Sequence, residues 1–405
     1  MSDEPSIRDG LVTGLAHRRG AGLNPGNRFE RVRLHVLGEE VDRQIRDGER
    51  DPARGARVDR QVFVDQTRRI INRVDRASDV PFDWTVSPYR GCEHGCIYCF
   101  ARPYHEYLGF SSGLDFETKL MAKPEAPTLL EKELSSPGWT PEPIVMSAIT
   151  DAYQHLEAQM GLTRACLEVM TRSLQPVATM TKSAMVLRDT DLWAELASAD
   201  AGRVVVTIVT LDAALARKLE PRASEPAARL RAIRELTRAG VPVTVNVSPV
   251  IPGLTDSEVP QILEAVADAG ARRVNWALLR LPHQVKDLFL DWLGREVHPE
   301  RAKKVESLIR QTRGGKLYDA RRTAGCVPPV GRASGGRFRT EGDGPECDGA
   351  SWKSQRHRGQ GVLAEQLAKT FEVFTRRYGL DRDIRPLTGK RFRRPGDRKQ
   401  LRLFG

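Results

Sequence analysis

Residues 90–103 read RGCEHGCIYCFARP, and they hold three of the chain's six cysteines within eight positions. A disulfide consumes two thiols and a closed zinc site uses four ligands, so three thiols on one short loop leave a valence over. Cys92, Cys96 and Cys99 can instead each take one iron of a four-iron four-sulfur cube, which leaves the fourth iron without a protein ligand. Gly91 and Gly95 allow the backbone to wrap closely around such a group, and Tyr98 sits where its ring can face a bound cofactor. On spacing alone a zinc site that recruits His94 or His105 as fourth ligand stays open.

What surrounds this loop narrows the choice. Strand-like apolar runs occur at Trp84 to Ser87, Ile144 to Ser147, Val177 to Thr181, Val204 to Thr210, Val241 to Val247 and Arg273 to Leu278. Helical patterns fall between them near 126–135, 161–174, 189–199, 225–239 and 257–269. Gly240 and Gly270 read as glycines that end a helix and hand over to a strand. Six β/α units in series predict an α/β fold, a partial (β/α)6 barrel related to the TIM type, with a parallel sheet and helices outside. In such folds the working end is the C-terminal edge of the strands, and the cysteine loop directly follows the first. A zinc knuckle would not be expected at the head of such a series.

The remaining segments divide as residues 1–75, a flexible, charged N-terminal arm; 76–320, the core; 321–361, a flexible Gly-, Arg-, Ser- and Pro-rich insertion; and 362–405, a closing helix and basic tail. Within the arm, Val32 to Leu37 alternates as a hairpin strand does. Residues 283–318 read as helical, as does Val362 to Tyr378. Cys166 falls in a helical pattern and is expected in the core, while Cys326 and Cys347 flank the insertion. Lys plus Arg number 64 against 53 Asp plus Glu, a formal charge of +11 that is compatible with nucleic acid or another anionic partner, although much of the excess lies in the tail. No run approaches the roughly 18 apolar residues of a membrane span, and no secretory signal is evident, so a cytoplasmic protein with reduced thiols is expected.

C-x3-C-x-aromatic-C at the head of a β/α series resembles the radical S-adenosylmethionine (SAM) superfamily, over roughly residues 80–320. More narrowly, SPYRGCEHGCIYCFARP, TDAYQ, TKSAMVLRD, LEPR, PVIPGLTD and LLRLPHQVKDLF resemble an uncharacterised bacterial group related to spore photoproduct lyase, often labelled DNA repair photolyase-like. The resemblance implies one four-iron four-sulfur cluster and SAM as cofactors, with Cys92, Cys96 and Cys99 as the iron ligands. It implies reductive cleavage of SAM to a 5′-deoxyadenosyl radical that abstracts hydrogen from substrate, fed by a reducing donor such as flavodoxin or ferredoxin. The substrate expected is nucleic acid or a nucleotide-like anion, in a lyase-like or modifying reaction. A peptide or small metabolite is the enzymatic alternative, and a zinc- or iron-sulfur-stabilised nucleic-acid-binding protein the non-enzymatic one.

Candidate residues follow strand by strand. Thr150 and Asp151 place polar groups after the second strand, suited to the amino group or ribose of SAM. Ala148 stands where the lyase carries a cysteine that returns hydrogen to its product, so the same lesion-reversal cycle is not expected. Lys182 closes the third strand, and the resemblance gives it the methionine carboxylate. Thr207 and Thr210 on the fourth strand carry hydroxyls suited to the ribose, Glu220 and Arg222 follow it, and Asn246, Ser248 and Pro249 end the fifth where the family contacts adenine. Arg280, His283 and Lys286 follow the sixth, with Arg280 and His283 as candidate catalytic groups for an anionic substrate.

Overall fold

The computed structural model describes residues 19–29, 50–51, 55–56, 59–74, 80, 82–318 and 357–396. Its frame is a seven-stranded sheet: β1 (Ile71–Arg73), β2 (Trp84–Val86), β3 (Ile144–Met146), β4 (Val177–Thr181), β5 (Gly202–Thr207), β6 (Val243–Val250) and β7 (Arg273–Leu278). The strands lie side by side in chain order. β1 pairs antiparallel with β2, and every later neighbour is parallel. The sheet is open, with β1 and β7 as its edges, so the six expected parallel strands form a partial barrel without closure.

The crossovers carry α1 (Ala126–Leu134), α2 (Leu162–Ser173), α3 (Thr190–Ser198), α4 (Pro226–Arg238) and α5 (Val259–Asp268). Each helix and strand expected in the β/α series appears within a few residues of its expected ends. The reason is burial: in a parallel sheet covered by helices the strands read as apolar runs, and the core here joins Val86, Ile144, Val177, Val204, Val206 and Val245 to Leu167, Trp193, Ile233 and Ile262. Cys166 is buried in that core, as expected.

After β7 the chain forms α6 (Val285–Glu296) and α7 (Pro299–Gln311). These build a second apolar cluster in which Phe289, Trp292, Val305 and Ile309 meet Ile97 and Tyr98, so the cysteine loop has a floor of its own. The closing helix α8 (Val362–Arg377) lays Phe371 flat on Trp276 of β7, with ring centroids 4.5 Å apart. Three short strands, Gln61–Val64, Lys119–Ala122 and Tyr89–Arg90, make a second small sheet beside the loop. The run Val32 to Leu37, the residues Cys326 and Cys347, and most of the 321–361 insertion lie outside the described residues.

The N-terminal segment expected to be flexible is held at residues 19–29. Glu117, buried without exposure, accepts from the backbone N–H of Gly20 at 2.9 Å and of Ala21 at 2.8 Å. Asn24 and Asp115 exchange two hydrogen bonds, both 3.1 Å, and Asn27 donates to the carbonyls of Glu106 and Phe110. A Cβ on Gly20 would lie 1.7 Å from the carbonyl oxygen of Gly95, so only glycine lets this strap lie against the cysteine loop. Composition conveys flexibility there; the glycine is instead required by close approach.

Candidate metal and SAM site

The loop begins where β2 and the Tyr89–Arg90 strand end. Gly91 adopts φ 76°, a conformation strained for any other residue, and Gly95 follows at φ 67°. Cys92 donates its N–H to the carbonyl of Phe116 at 2.9 Å, and Ile97 donates to that of Leu219 at 3.1 Å. Behind the loop lies fully buried Arg102. It donates to the carbonyls of Cys96 at 3.0 Å, Gly95 at 3.2 Å and Gly113 at 2.8 Å, and to the Glu117 carboxylate at 2.6 Å. The strap, Glu117 and Arg102 thus fix the loop from its rear.

Cys92, Cys96 and Cys99 are free thiols, the first two buried. Burial pushes the Cys92 thiol well up. It likewise lifts Cys96, to about 12, although neighbouring Lys182 opposes this. Three soft ligands on one loop, with a lysine ammonium close by to balance their negative charge, fit a polynuclear iron-sulfur centre. Among the described residues no three His, Cys, Asp or Glu side chains gather around a single metal ion, and a cube that takes one thiolate per iron does not require it.

The polar residues after the strands form a connected rim. Asp151 accepts from the Thr181 hydroxyl at 2.8 Å and from the N–H groups of Lys182 and Tyr153, each at 2.9 Å, and it faces His94 Nδ1 at 3.2 Å. Burial alone would raise its pKa, but His94 and these hydrogen bonds pull it down to about 2. Both of its oxygens are thereby engaged in joining the ends of β3 and β4 to the cysteine loop. Thr150 donates its hydroxyl to the Gly91 carbonyl. Lys182 stands over the Tyr98 ring, its ammonium 5.7 Å from the centroid. Burial lowers its pKa, yet Cys96, Glu220 and Cys99 together outweigh that and raise it.

The Tyr98 hydroxyl donates to Glu220, which also pairs with Arg229, and Arg229 donates to the Thr207 carbonyl at 3.0 Å. Glu220 is therefore committed to a buried network, and Arg222 pairs with buried Glu93 at 3.2 Å, as does Arg60 at 3.1 Å. Thr210 donates to Glu258 at 2.6 Å. Ser248 and Pro249 are joined by a cis peptide where the β6–β7 register shifts, and Asn246 reaches Met180. His283 and Lys286 are at the surface, and partial desolvation of the His283 ring together with nearby Arg28 lowers its pKa. Arg280 is half-buried at the end of the β7 segment. The structure thus brings Tyr98, Thr150, Asp151 and Lys182 around the three thiols, and sets His283 at the outer face near the strap. Sequence reading did not find Arg102, Glu117, Glu93 or Arg229. Their charged partners are 9 to 129 residues away, and neither a loop position nor a lone arginine in a helix signals in sequence which distant carboxylate it will meet.

The sequence matches the radical SAM superfamily over residues 86–266. An uncharacterised protein of Mycobacterium tuberculosis is 37% identical over 243 residues, 60% of this chain and 71% of that one. Another, from Methanocaldococcus jannaschii, is 28% identical over 176 residues, 43% of this chain and 63% of that one. A solved spore photoproduct lyase complexed with dinucleoside spore photoproduct aligns with a TM-score of 0.44 and 15% identity, over 62% of this chain and 77% of that one. The chain belongs to the radical SAM superfamily.

Proposed function

We propose that the chain is a radical SAM enzyme that acts on an anionic, nucleic-acid-like substrate. The observation that carries the reading is the set of three free thiols on one braced loop at the C-terminal edge of a parallel sheet. Cys92, Cys96 and Cys99 are the residues that would hold a four-iron four-sulfur cluster. When bound, such a cluster supplies the electron for reductive cleavage of SAM, the source of the radical that abstracts hydrogen. Lys182 receives the SAM carboxylate as a point charge, favoured by its raised pKa. Thr150 and Asp151 shape the same edge, Tyr98 supports Lys182 from below, and Thr207, Ser248 and Pro249 border the nucleoside end. Arg280 and His283 meet the substrate. The formal charge of +11 supports an anionic substrate, and so does the sequence resemblance to the lyase group.

Anaerobic reconstitution followed by iron and sulfide analysis and by assay for 5′-deoxyadenosine after dithionite reduction tests the reading. A brown protein that forms deoxyadenosine is expected, and Cys96→Ala should lose the chromophore while keeping its circular dichroism spectrum. An intact cluster that yields no deoxyadenosine would refute the enzyme assignment.

A further inference from the structure

Large apolar side chains exposed among the described residues are not scattered. Seven of the nine lie on the strap, the Gln61–Val64 strand and the segment that follows the cysteine loop: Phe29, Val62, Phe63, Val64, Phe100, Tyr104 and Tyr107. Contiguous apolar exposure of this kind marks a binding face. Phe29 and Tyr107 meet with centroids 5.1 Å apart and Tyr104 follows at 6.4 Å, while Phe63, Phe110 and His105 form a second run at 5.4 and 5.2 Å. Tyr107 is 69% exposed, Phe29 58% and Tyr104 49%, so these rings stand at the surface rather than in a core.

Cations are interleaved with these rings. Arg28 lies 5.3 Å from the Phe29 centroid and Lys119 5.2 Å from that of Phe110. Three local ion pairs turn their cations outward: Arg28 is 28% exposed against none for Glu106, Arg90 38% against 14% for Asp65, and Lys119 34% against 13% for Asp115, whereas Lys123, the second cation on Asp65, is the more buried partner. At the edge of the row a cavity of about 110 Å³ opens between Arg90, Gly91, Tyr104, His105, Tyr107 and Phe116. A single water needs only about 10–15 Å³ of such space, so the cavity has room for more than one solvent molecule. His105 lines this cavity almost wholly buried, its Nε2 has no hydrogen-bond partner, and burial lowers its pKa to about 4, which leaves the ring neutral.

We infer that the aromatic row Phe29, Tyr104 and Tyr107, with Arg28, Arg90 and the His105 cavity, is a stacking platform for unpaired bases of a single-stranded nucleic acid. The inference rests on the nucleic-acid reading of the substrate and gives it a place beside the cysteine loop. Aromatic faces hold bases of any sequence while outward cations follow the phosphates, and a duplex, its bases already stacked, offers nothing to the rings. A protein partner would not need the cations to outlie their carboxylates.

Fluorescence anisotropy of the full chain with a labelled oligothymidylate of about 12 nucleotides tests this, with a duplex of equal length as comparison. Single-strand binding is expected, weakening as salt rises and stronger than duplex binding. Tyr104→Ala with Tyr107→Ala should weaken it by about tenfold or more, and the corresponding pair of Phe replacements should retain it. If the Ala pair does not fold, Phe29→Ala alone serves, since its side chain is largely exposed. No binding at low salt, equal affinity for duplex, or unchanged affinity in the Ala variants would overturn the inference. So would a dimer in sedimentation velocity that the Ala variants dissolve, which would make a second copy the occupant. Deoxyadenosine formation by the wild-type chain reports on the enzyme reading separately, so either can fail alone.

Discussion

Asp151 shows how much one carboxylate does here. Its ordinary pKa of 3.8 falls to about 2 in the folded chain. A depressed folded pKa means stability that is present above the unfolded value and lost as pH falls through the folded one. The difference is worth about 2 kcal/mol at neutral pH. Asp151→Asn should therefore lower unfolding free energy by about 2 kcal/mol in urea melts at pH 6, and its gap from wild type should narrow as pH falls from 4 toward 2. A gap that did not change with pH would mean the hydrogen-bond geometry, not the charge, is what stabilises. Lys182 belongs to the same scale. Lys182→Met keeps the stem over Tyr98 and removes the charge. We expect SAM affinity, measured by equilibrium dialysis, to drop by about tenfold or more with iron content unchanged.

The elements divide into those legible in the sequence and those that were not. β4 was read at its true ends because Val177 to Thr181 is bounded by Pro176 before it and Lys182 after it. β5 was placed two residues late, since Gly202 has no side chain to signal a strand and joins by pairing with Val177. Among the site residues, the three thiols and the strand-end polar groups were legible, being local patterns at predictable edges. The Arg102–Glu117 clamp was not, because it is assembled from separate segments and is visible only once Gly20, Gly95 and Gly113 are neighbours. The strap yields its own prediction: Gly20→Ala cannot seat against Gly95 without displacement, so trypsin should cut at Arg19 and Arg28 markedly faster than in wild type. Equal cleavage rates would mean that the strap tolerates a side chain there.

At the scale of the whole molecule, the basic tail acts at the end opposite the cysteine loop. Arg391 donates to the Ser198 carbonyl at 3.0 Å, Arg394 to those of Leu134 and Ser136, and the N–H of Arg393 to that of Ser173 at 2.7 Å. These are the C-terminal ends of α3, α1 and α2, where carbonyls lack partners and the helix dipole is negative. Arg385 likewise approaches Asp200 at 3.7 Å. Part of the positive excess that suggested an anionic partner therefore ties helices together. Arg391→Ala with Arg394→Ala should lower Tm by about 2–4 °C while oligonucleotide binding stays unchanged. A loss of binding would return the tail to the list of recognition surfaces.

The hydrogen bonds from Gly20 and Ala21 to Glu117 also impose an order in time. As the ribosome extends the chain, residues 20 and 21 emerge 97 and 96 positions before their acceptor. At about 5–20 residues per second they wait roughly 5–20 s for it. A stretch made early thus cannot seat at once, and it closes behind the cysteine loop only after the loop and residue 117 have been translated.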